Sequence, residues 1–251
     1  MSGPERASAD PEGRQGIGIR EGIAVEGPDA ERFLQGQISQ DVEALTEGSV
    51  AWSLILQPTG RLVSLFRIQQ QGPERYLLDV EAGHRDELLN RLQRFLLRTN
   101  ATIAPVEYAI DAPLAWPGLT DPNDERQRIL IGFPRLGAEL TDETIPGEAG
   151  PTFVEHTVSF TKGCYTGQEL VARIESRGGN VPRPIRVLTS DEEMSIGAEV
   201  RWGDEVVGTV TSAVGSVALA PLARRVEVGQ PATVDGVRAV VVEPATNGAA
   251  G

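Results

Sequence analysis

The sequence predicts an α+β fold of mixed sheets and helices that ends in a small antiparallel β-barrel. Three observations carry that expectation. Two β-rich runs, 50–56 and 62–68, flank Gln57-Pro58-Thr59-Gly60-Arg61, where proline presets one dihedral and glycine supplies another, so they read as a hairpin. Between Asp86 and Arg98 the apolar residues Leu88, Leu89, Leu92, Phe95 and Leu96 recur at helical spacing. Beyond Arg177-Gly178-Gly179-Asn180-Val181-Pro182-Arg183-Pro184, which reads as a hinge, the chain changes to short strands separated by Gly and Asp turns.

Taken in order, residues 1–13 mix small, proline and charged residues without an apolar run, and are expected to be a disordered leader and not a secretion signal. Residues 14–184 are expected to form the α+β domain. Its first strand lies within 17–25. A short helix follows, with Pro28 at its start, Asp29 and Glu31 in the positive first turn, and Gly36 placed to stop it. After the hairpin come a strand at 76–80, the 86–98 helix, and strands at 102–108 and 128–131 around a proline-rich loop near Pro113 and Pro117. A strand at 157–160 should deliver a loop, followed by a helix over 167–176. Residues 185–244 are expected to be the barrel, from strands at 199–202, 206–213, 217–222, 232–234 and 237–243, and residues 245–251 a flexible tail.

The loop before the 167–176 helix concentrates the chemistry. Phe160-Thr161-Lys162-Gly163-Cys164-Tyr165-Thr166-Gly167-Gln168-Glu169 holds the one cysteine, and Lys162 is the single lysine among 23 basic side chains. Thr166 and Glu169 have capping-box spacing, which sets Cys164 just ahead of a helix N-terminus, where an anion is favoured. With Lys162 as a second positive charge, the Cys164 thiol is expected to titrate below its ordinary value and to act as a thiolate. The bland alternative is a small buried hydrophobe, against which Gly163 and Gly167 speak, since they let the backbone turn and present the side chain. Glu169 and Arg173, four residues apart, read equally as a helix-surface pair or as ligand contacts.

The segment Lys162-Gly163-Cys164-Tyr165-Thr166-Gly167-Gln168-Glu169 resembles the signature of the YgfZ family, folate-binding proteins built like the aminomethyltransferase (T protein) of the glycine cleavage system. Phe33-Leu34-Gln35-Gly36-Gln37 with the following Asp41 resembles a second family signature, and Val207-Gly208-Thr209-Val210-Thr211-Ser212 with Ala218-Leu219-Ala220 resembles the family's C-terminal barrel. The likeness runs from about Ile17 to Glu243. It implies an aminomethyltransferase-like folate-binding domain, a folate such as tetrahydrofolate as ligand, and a part in synthesis or repair of iron–sulfur cluster enzymes and, through them, in tRNA modification. On that resemblance Cys164 and Lys162 are the reactive pair, and Tyr165, Gln168, Glu169, Arg173, Gln35 and Gln37 shape the opening of a folate cavity. Gln35 and Gln37 read equally as turn chemistry. Whether Cys164 would carry sulfur or electrons, or hold iron in passing, stays open.

The chain departs from the transferase in two places. The window Gly60-Arg61-Leu62-Val63-Ser64-Leu65 and the window Arg128-Ile129-Leu130 both lack the carboxylates that the T protein uses there, which disfavours aminomethyl or other one-carbon transfer, the alternative function. Composition narrows the rest. A net charge of -13 argues against direct nucleic-acid contact. One cysteine excludes an internal disulfide and a self-contained cysteine-ligated cluster, so any cluster belongs to a client or assembly partner, and no stable metal is expected. No run approaches the roughly 18 apolar residues of a membrane span, and the expected compartment is the cytoplasm. A Cys–His hydrolase using His156 or His84, and a peptide-binding module, are the remaining alternatives.

Overall fold

The computed structural model describes residues 17–245. The leader expected at 1–13 and all but the first residue of the expected tail lie outside the described residues. Two antiparallel sheets organise the chain. The first has five strands in the order β2-β3-β4-β1-β5, from β1 (Arg20–Glu26), β2 (Val50–Leu56), β3 (Leu62–Gly72), β4 (Arg75–Glu81) and β5 (Thr102–Val106). Helices α1 (Ala30–Gln37) and α2 (Arg85–Arg94) connect within it. In the hairpin, Gly60 N–H donates to the Gln57 carbonyl (2.8 Å), closing the turn that the Pro-Thr-Gly sequence announces. Ile23, Val25, Leu54, Ile55, Phe66, Ile68, Leu78 and Val80 are fully buried, and Leu88 and Leu92 of α2 join the same core.

The second sheet has seven strands in the order β8-β7-β11-β12-β6-β10-β9, from β6 (Ile185–Ser190), β7 (Glu199–Trp202), β8 (Glu205–Thr209), β9 (Ser212–Val214), β10 (Val217–Pro221), β11 (Pro231–Val234) and β12 (Val237–Val242). A bridge from Gly208 to Leu222 brings β8 back toward the far end of β10. The sheet is thus a curled half-barrel, with its own core of Val200, Ala218, Ala220, Leu222, Val226 and Val241.

Two expected strands do not form. Residues 128–131 fall in α3 (Glu125–Leu130), because Asp124 caps the helix by accepting from Gln127 N (2.9 Å) and Glu125 binds Arg128 one turn on. Ile129 then packs on Val187, Val217 and Leu219 of the half-barrel, which is why an apolar stretch stands there. Residues 157–160 are the last residue of α4 (Pro151–Thr157) and the loop after it. Pro151 starts α4 in the first turn, where a missing N–H costs nothing, and Phe153, Val154 and Thr157 are buried. A single 3-10 turn, Pro146–Ala149, precedes α4, and α5 (Gln168–Ser176) follows the loop.

Two buried ionic hubs fix how these parts meet. Asp79 of β4, fully buried, accepts from Arg20 (3.0 and 3.1 Å), from Arg67 (2.5 and 3.0 Å) and from Ile110 N (3.0 Å). Arg67 also donates to the carbonyls of Ile110, Ala112 and Pro113, so the proline-rich segment is held flat on the sheet and Trp116 reaches an edge-on cluster with Trp52 and Phe133. The second hub is Glu139. One of its oxygens accepts from Arg128 (3.3 Å) and from Arg135 N (3.0 Å), the other from Thr211 Oγ1 (2.7 Å) and Ser212 Oγ (2.6 Å) of the half-barrel. Removing one partner of such a group strands the other charges in the interior. Asp79→Ala is therefore expected to cost about 3–5 kcal/mol, read as a lowered midpoint in urea denaturation followed by circular dichroism.

Candidate functional site

The residues singled out in the sequence meet at the end of α1. Lys162 Nζ donates to three backbone carbonyls: Gln35 (2.8 Å), Ile38 (2.8 Å) and Gln40 (2.7 Å). Thr166 N donates to the Gly36 carbonyl (3.1 Å) and Ser159 N to that of Ser39 (2.9 Å). Carbonyls in the last turn of a helix have no partner within it, and here the 159–166 loop supplies donors. The hairpin closes the arrangement from the other side. At Gly167 (φ 86°) a β-carbon would lie 2.5 Å from the Gln57 carbonyl oxygen, and at Gly60 (φ 83°) one would lie 2.5 Å from Leu170 Cβ. Both positions need the left-handed backbone and the missing side chain. Three stretches far apart in the chain, 33–42, 57–61 and 159–170, thus form one clamped unit.

Cys164 is exposed on this unit, and no hydrogen bond joins it to either histidine among the described residues. Lys162 sits two residues away but spends all three N–H donors on carbonyls, so none is left for the sulfur. Its part in the geometry is to anchor the loop. Burial pushes Lys162 down to about 8, while Asp41 and Glu43 pull the other way. It therefore remains an ammonium at neutral pH, and the three acceptors favour that form, which alone carries three donors.

Most of the other singled-out side chains are engaged within the chain. Tyr165 is buried in the main core, with Lys162 Nζ 5.2 Å above its ring, and burial pushes its phenol up to about 12. Gln35 accepts from Val42 N (2.7 Å) and donates to Asp41 (2.9 Å) in the turn after α1. Gln37 accepts from Arg91 (3.1 Å), which also donates to the Leu56 carbonyl. Thr166 is not the cap of α5. Gly167 occupies that place in a left-handed conformation, and the Gln168 side chain accepts from Tyr165 N (3.2 Å). Glu169 and Arg173 are exposed and form no ion pair among the described residues.

A cavity of about 660 Å³ lies elsewhere, between the end of β4, the 135–138 turn and the half-barrel. Its polar lining is Glu81, His84, Glu125, Arg135, Thr211 and Ser212. None of the eight residues expected at a site lines it. Its residues come from separate parts of the chain with no local motif, so periodicity and spacing had no means of finding them. Of the two histidines, His84 lines this cavity, whereas His156 Nδ1 faces the Thr152 carbonyl (2.8 Å) beside Trp116. Among the described residues no group of three or more His, Cys, Asp or Glu side chains is arranged to hold a metal ion, and no helix is long and apolar enough to cross a membrane.

The Lys162 geometry yields a sharp test. Lys162→Met is expected to lower stability by about 1.5–3 kcal/mol, the worth of hydrogen bonds to a charged group. Lys162→Arg should fail to restore it, since a planar guanidinium cannot aim three donors at carbonyls converging on one point. Chemical denaturation of both variants beside the parent chain decides this, and full recovery by arginine contradicts it.

No protein-family model matches the chain. An uncharacterized protein of Haemophilus influenzae is 29% identical over 226 residues, covering 76% of this chain and 81% of that protein. A protein of Cronobacter sakazakii called tRNA-modifying protein YgfZ is 25% identical over 262 residues, covering 76% and 77%. The crystal structure of the glycine cleavage system aminomethyltransferase T from Bartonella henselae superposes with a TM-score of 0.73 at 15% identity, over 91% of this chain and 84% of that one, and shows the shared fold. The chain is thus similar in sequence to YgfZ proteins and shares the fold of the T protein.

Proposed function

We propose that the chain is a folate-binding accessory protein of the YgfZ type, serving iron–sulfur enzymes that act in tRNA modification in the cytoplasm, with Cys164 as its reactive thiol. The observation that carries the reading is the clamped loop. A core cysteine needs no such scaffold, whereas here three segments, an ammonium and two tightly packed glycines converge to hold one exposed sulfur in a fixed place.

The folate part of the proposal is supported by the cavity. Its volume falls in the range of small-molecule sites, roughly 300–1,000 Å³, and its lining joins aliphatic walls with carboxylate, guanidinium, imidazole and hydroxyl groups. That mixture fits a flat heterocycle. Binding is proposed in preference to aminomethyl transfer. Strand β3 carries no carboxylate in its first residues, and the buried acid nearest its middle, Asp79, is wholly occupied by two arginines and an amide. A carboxylate so engaged cannot hold a reacting amine's proton.

In cells lacking the endogenous protein, the parent chain should restore activity of cluster-dependent tRNA-modifying enzymes, while Cys164→Ala, whose exposed position leaves folding intact, should not. Thermal melts of the two purified chains should coincide within about 2 °C. Full rescue by the alanine variant removes the thiol from the proposal. Isothermal titration with tetrahydrofolate tests the ligand separately.

A further inference from the structure

Resting on the proposal that the Cys164 thiol serves client enzymes, we infer that the exposed edge formed by the end of α2 and the turn after it is where the client lands, and that the client presents there an acidic segment with apolar side chains. Contacts shared with the cysteine loop fix the place of this edge. Arg91 donates to the Gln37 side chain (3.1 Å) and to the Leu56 carbonyl (3.1 Å). The loop meets the same two spots: Thr166 N donates to the Gly36 carbonyl (3.1 Å), and a β-carbon at Gly167 would lie 2.7 Å from Leu56 Cβ. From there the chain runs back along α1, because Asn100 N donates to the Asp29 side chain (2.8 Å) just ahead of that helix. One end of the edge therefore adjoins the cysteine loop, and the other lies an eight-residue helix away, about 12 Å.

The edge is basic and apolar at once. Arg94 and Phe95, three and four residues after Arg91, share its face of the helix, and the Arg91 guanidinium lies 3.9 Å from the Phe95 ring centroid. Arg94 and Phe95 are exposed, and Leu97 is 79% exposed. Arg98 follows with a φ of 55°, a left-handed backbone that glycine would take freely and that a side chain makes costly. Its local structure gives no reason for an arginine there. Among the described residues Arg91, Arg94 and Arg98 form no ion pair, and the acids of α2, Asp86 and Glu87, stand in its first turn. Burial and the nearby Arg94 charge push Arg91 below its ordinary value, a repulsion that an incoming carboxylate relieves. A chain of net charge -13 repels an acidic partner over most of its surface, so three unmatched guanidinium groups mark where one is accepted. Leu97 decides for a polypeptide: it is covered by apolar side chains and not by a sugar–phosphate backbone, and arginine with aromatic rings is the usual composition of a protein interface.

Disulfide exchange on the full chain tests both the place and the charge. Two peptides of equal length, one rich in Glu and Leu and the other with Lys for every Glu, each carry a cysteine capped as its thiopyridyl disulfide. Attack by the Cys164 thiolate forms the protein–peptide disulfide and releases thiopyridone, whose absorbance gives the rate, and dithiodipyridine as a small neutral reagent reports on the thiol alone. At low salt the acidic peptide is expected to react about tenfold faster than the basic one, with the advantage fading as salt is raised. The net charge of the chain by itself predicts the reverse order. Arg94→Glu should abolish the advantage with the dithiodipyridine rate unchanged, and Arg98→Gly should reduce it with a melting temperature equal to or above that of the parent chain. A normal dithiodipyridine rate beside equal peptide rates, or beside an advantage that both variants keep, overturns the inference and leaves the thiol standing. A Cys164 inert to dithiodipyridine removes the proposed function and the inference with it. A single-stranded RNA that blocks the acidic peptide on the parent chain but not on Arg94→Glu makes the edge a nucleic-acid surface and overturns the inference as well.

Discussion

One ammonium holds the cysteine loop in place. A chain that uses arginine almost everywhere keeps a lysine at position 162, and the geometry gives the reason: three carbonyls of residues 35, 38 and 40 converge on a single point. Only a nitrogen with three donors of its own can satisfy them all, and a forked guanidinium cannot. Through that atom the end of α1 is tied to the cysteine loop, and through Gly60 and Gly167 the loop is tied to the hairpin. The charge read in the sequence as an activator of the thiol is, in the folded chain, also the pin of its support.

The same economy recurs in the deep interior. Asp79 and Glu139 are fully buried carboxylates, and each is surrounded by donors from distant parts of the chain. Burying such charges adds little net stability in general, yet a misplaced segment would leave one of them unpaired at a cost of several kcal/mol, so they discriminate among arrangements. Asp79 decides where the proline-rich segment lies. Glu139 decides how the half-barrel sits, since Thr211 and Ser212 reach it from the second sheet. The cavity borders this second hub, with Arg135 joining its backbone to Glu139 and its side chain to Glu81.

Much of the fold was legible because local rules and tertiary structure agree. The Pro-Thr-Gly turn, the alternation of the strands beside it and the helical spacing of Leu88 and Leu92 all point to what forms. Of the two expected strands that do not form, 128–131 is a short apolar run in which periodicity cannot separate the classes and a cap at Asp124 decides for helix, while 157–160 is the end of the helix begun at Pro151 and the loop after it. The site was legible in part. The segments that the sequence singled out do meet, but it could not show that the Gln35, Gln37 and Gln168 side chains are taken up by Val42 N, Asp41, Arg91 and Tyr165 N. Glu81 and Arg135 gave no signal, since nothing in a linear pattern says that residues 54 apart form an ion pair.

A sulfur mounted on so firmly stapled a loop has almost no reach. It is no swinging arm that collects cargo in one chamber and delivers it to another, because the backbone on either side of Cys164 is bolted to a helix end and a hairpin. Whatever exchanges a bond with it must be carried to the surface by a second molecule, whose contour has to admit the neighbouring half-exposed Phe160 as well. On the proposed function, the chemistry of this cysteine is an encounter between two bodies, with a speed governed by how often and how well they collide.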